Sequence, residues 1–385
     1  MTANGRELIG SSRFKLGLFG SNCSGGVAFT SVPERWDASW DNNRKLAALA
    51  DDLGLECMIP VARWKGFGGQ SNMNASSFET ITWATGLLAH TQRLSVFGTI
   101  HVQLIHPVFA AKALATADHV GHGRLGVNIV CGWNRDEFDM FRIEQHGHDA
   151  RYDFAEEWWS IVTSLWTKDR AFDYNGKYFS FSNLESAPQP YGGSRPVMMN
   201  AGASPAGRRF AIGNSDLHFD YCRTPEDSAS RVAETIAMAA ALGRRINVWI
   251  PASVVCRPTE AEVKEFAQHC VDHADWEALD YQYRLYQSES GSRGRSAEEN
   301  ARNRAQDPAR PVLGYGGSYS IRGTPDQVAG EIKRLHDAGF SGIGLCFVNY
   351  LDELPYFVQE VIPRLERMGI RAPRGARRLT AIPAG

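Results

Sequence analysis

Short apolar runs alternate with longer amphipathic segments about eight times along this chain of 385 residues. Apolar runs rich in valine and isoleucine are typical of buried parallel strands, and the segments between them show the periodicity of helices. Such alternation favours a parallel α/β sheet, and eight units favour a closed (β/α)8 TIM barrel. We predict one barrel domain over residues 1–385, with strands at 14–19, 57–61, 93–101, 125–130, 196–200, 217–221, 246–255 and 341–347.

Three segments do not fit this alternation. Residues 173–181 alternate aromatic and polar side chains around Asn175 and Gly176, which predicts an inserted β-hairpin. Residues 277–317 are charged, rich in arginine and interrupted by glycines. An irregular polar stretch of that length is typical of a mobile lid or of disorder, and we predict a lid. Residues 370–385 are predicted to form a flexible tail.

Composition excludes several classes of protein. Lysine and arginine total 41 against 43 acidic residues, without a basic tract, so no nucleic-acid partner is predicted. Seven scattered cysteines without CxxC spacing indicate reduced, buried thiols, and no apolar stretch reaches membrane-spanning length. We therefore predict a soluble cytoplasmic protein without a membrane partner. His146 and His148 lack a third ligand at a recognisable spacing, so no metal site is predicted.

Candidate site residues fall at the carboxyl ends of the predicted strands, where TIM barrels carry their active sites. They are Arg63, Thr99, Asn128, Gly202 and Ser204. Asn128 interrupts the apolar run LGVNIV, and a buried amide without partners costs on the order of 1–3 kcal/mol. Thr99 and Asn128 on neighbouring strands can together bind a small polar group. Alternatively, Thr99 is an ordinary strand residue and Asn128 caps a loop.

Two further segments have the character of an anion site. Asp149 can cap the helix that follows it, with Arg151 and Tyr152 in the exposed first turn. A solvated arginine on a capped helix explains the same pattern. Gly202 and Ser204 lie at a strand-to-helix turn where small residues allow a phosphate to approach the backbone; an ordinary tight turn is the alternative. Because no GxGxxG or Walker A loop is present, a Rossmann or nucleoside-triphosphate site is disfavoured.

Five motifs carry a resemblance to a known family. They are ARWKGFGG at 62–69, RLGVNIVCGWNRDEF at 124–138, HDARY at 148–152, NAGAS at 200–204 and GGSYSIRGTPDQVA at 316–329. Over roughly residues 14 to 368 the chain resembles the bacterial luciferase-like FMNH2-dependent monooxygenases, in the branch of the pyrimidine and dimethyl sulfone monooxygenases. KGFGG is similar to the pyrimidine enzymes and HD before RY to the sulfone enzymes. Cys131 stands where relatives carry threonine or serine.

The resemblance implies a two-component, catabolic monooxygenase. It would take reduced FMN from a separate NAD(P)H:flavin reductase and use O2, through a flavin peroxide, to oxygenate a small polar substrate. N-heterocycles, amides, sulfones and halogenated aromatics are the expected substrates, and a homodimer or homotetramer is the expected assembly. A deazaflavin-dependent hydride-transfer enzyme and a non-catalytic flavin-binding barrel are the alternatives.

The resemblance also assigns roles to individual residues. Ala62 and Arg63 would face the isoalloxazine ring, and Asn128 and Glu137 would complete the flavin site. The phosphate would be held by Arg151, Tyr152 and Ser204, with Gly202 beside them. Thr99 and Asn128 would form an oxygen pocket beside flavin nitrogen-5. In the predicted lid, the candidate anion contacts are Arg293, Arg295 and Arg302.

Overall fold

The computed structural model describes residues 8–10, 13–289, 296–315 and 318–371. Eleven strands are formed in this part of the chain: β1 (Lys15–Phe19), β2 (Cys57–Ile59), β3 (Ser95–His101), β4 (Leu125–Val130), β5 (Phe172–Asn175), β6 (Ser180–Leu184), β7 (Val197–Asn200), β8 (Leu217–Phe219), β9 (Asn247–Cys256), β10 (Tyr319–Gly323) and β11 (Gly342–Cys346). Eight of them pair in parallel in the closed order β1-β2-β3-β4-β7-β8-β9-β11. The predicted (β/α)8 barrel is confirmed.

Helices surround the barrel and bury their apolar faces against it. They are α1 (Trp40–Leu53), α2 (Thr80–His90), α3 (Pro107–Val120), α4 (Arg135–Phe141), α5 (Ala150–Thr167), α6 (Pro205–Asn214), α7 (Pro225–Ala241), α8 (Glu260–Asp272), α9 (Trp276–Glu289), α10 (Ala297–Gln306), α11 (Ala309–Leu313), α12 (Pro325–Asp337) and α13 (Tyr350–Arg367). Local sequence sets their ends. Pro107 occupies the first turn of α3, and Gly54 ends α1 in the left-handed conformation, with φ of 79°.

The Trp-rich helix α5 shows how this outer layer is held. Trp158 and Trp166 are fully buried, and their indole nitrogens donate to Ile105 O at 2.7 Å and Ala111 O at 2.9 Å. A buried indole therefore keeps its one donor satisfied while its rings fill the space between α5 and α3. None of the described helices is long and apolar enough to cross a membrane.

Strand β10 was not predicted from the sequence. It pairs with residues 252–256 of β9, whereas β8 pairs with residues 247–249 and β11 with residues 249–253. Because β11 overlaps both other pairings, β8 and β10 must share the opposite edge of β9. The ten-residue length of β9 makes this possible, since its lower half closes the barrel and its upper half extends beyond it.

The predicted hairpin is confirmed as the antiparallel pair β5 and β6. Its turn is built around one carboxylate: Glu157 of α5 accepts hydrogen bonds from the backbone N–H groups of Lys177, Tyr178 and Phe179 at 2.7, 3.0 and 3.3 Å. Three backbone donors that lie outside the ladder are thereby satisfied by a helix of the barrel. The hairpin is thus fixed against the outer layer.

The segment at 277–317 differs from the irregular chain expected, because its described part contains helices α9, α10 and α11. A capping box of Ser296 with Glu299 starts α10, and Ala278 and Leu279 of α9 pack in an apolar cluster with Phe29. That this segment moves is still a prediction. In the predicted tail, Ile370 and Arg371 are buried, and residues 372–385 lie outside the described residues.

Candidate active site

A cleft of about 580 Å³ opens at the carboxyl ends of the barrel strands. This volume is in the range of a cofactor or small-molecule site. The predicted site residues that line it are Ala62, Arg63, Thr99, Asn128, Arg151, Tyr152, Gly202 and Ser204. They come from four strand ends and the start of α5, so the barrel brings together residues up to 142 positions apart (62 to 204).

Thr99 and Asn128 lie opposite each other in the paired strands β3 and β4. The Thr99 hydroxyl donates to Pro60 O at 2.7 Å and accepts from Asn128 Nδ2 at 3.2 Å. Asn128 Oδ1 is buried and has no hydrogen-bond partner among the described residues. Asn128 therefore does not cap a loop; it holds a second amide hydrogen and an acceptor oxygen at the cleft, both available to a ligand.

A buried ion pair lies beside this pair. Arg63 Nη1 is 3.0 Å from Glu137 Oε1, and the same oxygen accepts from Trp64 N–H at 2.9 Å. Glu137 is fully buried and lies behind Arg63, not in the cleft lining, so its contact is with the arginine that it orients. The Arg63 guanidinium lies 4.7 Å from the centre of the Trp133 ring. One face of the cleft is thus a cation fixed by a carboxylate.

His101 also belongs to this cluster. Its Nδ1 is 3.8 Å from Glu137 Oε2, and its side chain lines the cleft. Burial lowers the pKa of His101 to about 4, and the nearby Glu137 carboxylate offsets only part of that effect. At neutral pH His101 is therefore uncharged, and Arg63 is the cation that balances Glu137.

A different end of the cleft has the character of an anion site. The Ser204 hydroxyl accepts from Gly207 N–H at 3.1 Å and caps α6. A Cβ atom on Gly202 would lie 2.7 Å from the Gly207 backbone, and one on Gly207 would lie 2.5 Å from the Tyr152 hydroxyl. The turn, the start of α6 and the Tyr152 hydroxyl are therefore in direct contact. The positive end of the helix dipole faces this contact, which favours a bound anion.

Arg151 is buried and tied to the loop after β4. Its guanidinium donates to Gly132 O at 2.7 Å and to His146 O at 2.8 Å. Asp149 occupies the N-cap position of α5, as predicted, but its side chain makes no capping hydrogen bond, so the expected capping contact is wrong. The reason is that its backbone is already helical, with φ of −76° and ψ of −35°; its carboxylate instead contacts His148 Nδ1 at 2.8 Å.

A protein-family model for luciferase-like monooxygenases matches residues 17–342 of this chain. The chain belongs to the luciferase-like monooxygenase family. It is 31% identical to the FMNH2-dependent dimethylsulfone monooxygenase of Pseudomonas fluorescens (strain Pf0-1), over 91% of this chain and 94% of that protein. It is 24% identical to the pyrimidine monooxygenase RutA of Pseudomonas syringae pv. syringae (strain B728a), over 90% and 95%. The crystal structure of a long-chain alkane monooxygenase has the same fold, with a TM-score of 0.82 and 20% sequence identity. The match covers 95% of this chain and 94% of that chain.

In this luciferase-like chain the cleft has a wall that the sequence did not predict. Tyr286 of α9 stacks on Trp133, with ring centres 4.6 Å apart and planes 24° apart. The Tyr315 hydroxyl is buried in the lining with no hydrogen-bond partner in the described part of the chain. Cys131 also lines the cleft, and burial raises the pKa of its thiol, so the thiol stays protonated.

One of the residues that the sequence analysis missed, His101, could have been predicted. Side chains two positions apart in a strand point to the same face, so Thr99 places His101 on the cleft side of β3. Tyr286 and Tyr315 gave no such signal, because they come from the insertion after α8, whose packing on the barrel is tertiary. In the described ranges, no three histidine, cysteine, aspartate or glutamate side chains are grouped to hold a metal ion.

Proposed function

We propose that this luciferase-like protein is a two-component monooxygenase that uses reduced FMN and O2 to oxygenate a small organic substrate. The observation that carries the proposal is the Thr99–Asn128 pair, which leaves an amide hydrogen and a bare carbonyl oxygen in the same cleft as an anion site. The 31% identity to an FMNH2-dependent dimethylsulfone monooxygenase supports the choice of cofactor.

The residues present fit FMN. Ser204, Gly202 and Tyr152 form a contact site at the start of α6 that suits the phosphate, with the Arg151 cation in the same lining. Asn128 Oδ1 needs a donor, and a flavin ring carries N–H groups that can supply one. Bound there, reduced FMN supplies the electrons for oxygen activation.

The hydrogen bonds of the pair divide the work between its two members. The Thr99 proton is used for Pro60 O, so the threonine orients the amide and does not donate to a ligand. Asn128 Nδ2 gives one hydrogen to Thr99 and directs the other into the cleft, where it can stabilise charge that develops on an oxygen atom. The stacked rings of Trp133 and Tyr286 give the same cleft an apolar wall, which disfavours water beside the reacting atoms.

Substitution of Asn128 and Thr99 tests the proposal. Asn128→Ala should lower product formed per reduced FMN by about a hundredfold, the usual cost of removing one such donor, while FMN affinity changes only a few-fold. Thr99→Val should also lower product yield, whereas Thr99→Ser should retain activity because it keeps the hydroxyl. Products are measured by mass spectrometry with isotopically labelled O2, and FMN affinity by anaerobic titration. Asn42→Ala and Thr116→Val, which do not line the cleft, are the controls.

Full product yield in both Asn128→Ala and Thr99→Val would refute the role of the pair. Product formation under strict anoxia would instead favour deazaflavin hydride transfer. Tight FMN binding without oxygen consumption, across pyrimidines, amides, sulfones and halogenated aromatics, would favour a non-catalytic barrel.

The remaining parts of the proposal concern partners and location. A separate NAD(P)H:flavin reductase would supply reduced FMN, and a homodimer or homotetramer would form, which light scattering after gel filtration measures. A cytoplasmic location agrees with the cysteines, since the seven thiols are free and buried.

A further inference from the structure

A second cavity of about 350 Å³ adjoins the cleft. Arg223, Tyr283 and Glu299 line both, so the two spaces lie next to each other. The second cavity lies between the residues after β8 and the helices α9, α10 and α11 of the insertion. Arg223, Tyr283 and Glu299 are therefore the residues that a ligand in the Asn128 cleft and a ligand in the second cavity would both contact.

Positive charge exceeds negative charge in the lining of this second cavity. Arg223, Arg302 and Arg310 face Glu299 and Asp307. Asp307 pairs with Arg322, which lies outside the lining, and accepts from the Arg310 backbone N–H. Glu299 accepts from Ser296 N–H and keeps its charge, so the lining holds three arginines against two carboxylates.

Two of the three arginines lack an ion-pair partner among the described residues. In the part of the chain that the structure describes, neither Arg223 nor Arg302 forms an ion pair. Arg302 was one of the three lid arginines singled out in the sequence; Arg293 and Arg295 lie outside the described residues. Two guanidinium groups on one small cavity, neither of them in an ion pair with a described residue, favour an oxyanion there.

Aromatic side chains connect this cavity to Asn128. Tyr283 lines both spaces, and the stacked pair of Tyr286 and Trp133 lies in the cleft with the buried Tyr315 hydroxyl. Aromatic faces suit an aryl ring or a short alkyl chain, and the hydroxyl can bond one polar atom. The cleft thus combines the Asn128 amide and aromatic side chains in one lining, and it shares Arg223 and Tyr283 with the cationic second cavity.

We propose that the substrate is an organic anion whose carboxylate or sulfonate group binds Arg223 and Arg302 in the second cavity. Its aryl or alkyl part then lies against Trp133 and Tyr286, and the atom to be oxygenated lies beside Asn128. This inference rests on the proposed function for the reaction but concerns binding alone. The phosphate of FMN is the other oxyanion at hand; the Ser204 turn at the start of α6 already suits it, so the arginine pocket is assigned to the substrate.

Matched anionic and neutral ligands test the inference by calorimetry, on the full chain with and without oxidised FMN. The pairs are methanesulfonate with dimethyl sulfone, and benzoate with benzamide, each alike in size and different in charge. In the wild type the anion should bind at least about tenfold more tightly than its neutral partner, and added salt should weaken the preference. In Arg223→Gln/Arg302→Gln the preference should disappear, while the neutral ligands bind as before.

The control is Arg44→Gln/Arg367→Gln, which removes two exposed arginines that line neither cavity. Equal binding of anion and neutral partner by the wild type, or no binding of any probe, would overturn the inference. So would a loss of FMN affinity in the double variant as large as its loss of anion affinity, because the pocket would then serve the cofactor phosphate. Oxygenated product does not enter this test, so its outcome is independent of the Asn128 and Thr99 variants.

Discussion

Replacing Glu137 by glutamine should lower the free energy of unfolding of the protein, because Glu137 is the counter-charge of the buried Arg63. The two side chains are 3% and 0% exposed, and Arg63 Nη1 and Glu137 Oε1 are 3.0 Å apart. At that separation and an effective dielectric constant of about 20, Coulomb's law gives roughly 5.5 kcal/mol of attraction. Glutamine keeps an oxygen for Arg63 and for Trp64 N–H, but it leaves the guanidinium buried without a counter-charge.

Breaking a buried ion pair on one side typically costs about 3–5 kcal/mol, so we expect Glu137→Gln to lower the free energy of unfolding by about 4 kcal/mol. That is close to a thousandfold in the unfolding equilibrium. Urea titrations of the apoprotein at pH 8, followed by tryptophan fluorescence and by circular dichroism, measure it; agreement of the two probes supports a two-state treatment.

The double variant Arg63→Met/Glu137→Gln separates charge from shape. It removes the stranded cation and keeps the acceptor for Trp64 N–H, so it should recover most of the lost stability. The reasoning is refuted if Glu137→Gln costs less than about 1 kcal/mol. It is refuted as well if the double variant is no more stable than the single one, because an unpaired charge is then not the cause.

Two further predictions concern His101 and the glycines of the anion site. Because the pKa of His101 is about 4 in the folded protein and 6.5 as its ordinary value, the unfolded chain binds the extra proton first as the pH falls, and stability falls from about pH 6.5 to 4. His101→Gln should reduce the loss of unfolding free energy between pH 7 and pH 5 by roughly 2 kcal/mol. The measurement is the unfolding free energy of wild type and variant from urea titrations at each pH; the same pH dependence in both proteins would contradict the prediction. Gly202→Ala should lower both melting temperature and FMN affinity, since its Cβ would lie 2.7 Å from the Gly207 backbone, whereas Gly213→Ala in open space on α6 should raise the melting temperature. Equal melting temperatures for the two alanine variants would show that the close approach is relieved without cost.

Sequence alone predicted the ring of eight strands and placed Thr99 and Asn128 on neighbouring strands, but it left open whether the two act as a pair. Apolar runs and the order of parallel strands determine which strands are neighbours, and Thr99 pairs with Asn128 across β3 and β4. What sequence did not supply was the direction of their hydrogen bonds. That depends on Pro60 O, which comes from the neighbouring strand end and takes the threonine proton.

Contacts between residues far apart in the chain could not be predicted from the sequence, for physical reasons. Arg63 and Glu137 are 74 residues apart, and nothing in either local sequence marks the other as its partner. Helix α9 was hidden because its buried positions include a polar residue: Ala278, Leu279 and Leu285 are buried together with Gln282, which breaks the apolar period.

The long edge of β9 bears on how such an enzyme changes over evolution. In the described sheet, β10 bonds to β9 alone, so the ring of eight strands is complete without it. The chain from α8 to β10 leaves β9 and returns to the same strand, so it is an insertion. Its length and its charged residues can change without breaking a hydrogen bond between the eight barrel strands. Thr99, Asn128 and the Ser204 turn belong to the ring, while Tyr286, Arg302 and Tyr315 belong to the insertion. We therefore expect ligand preference to diverge among descendants of this chain while the reaction itself is inherited unchanged.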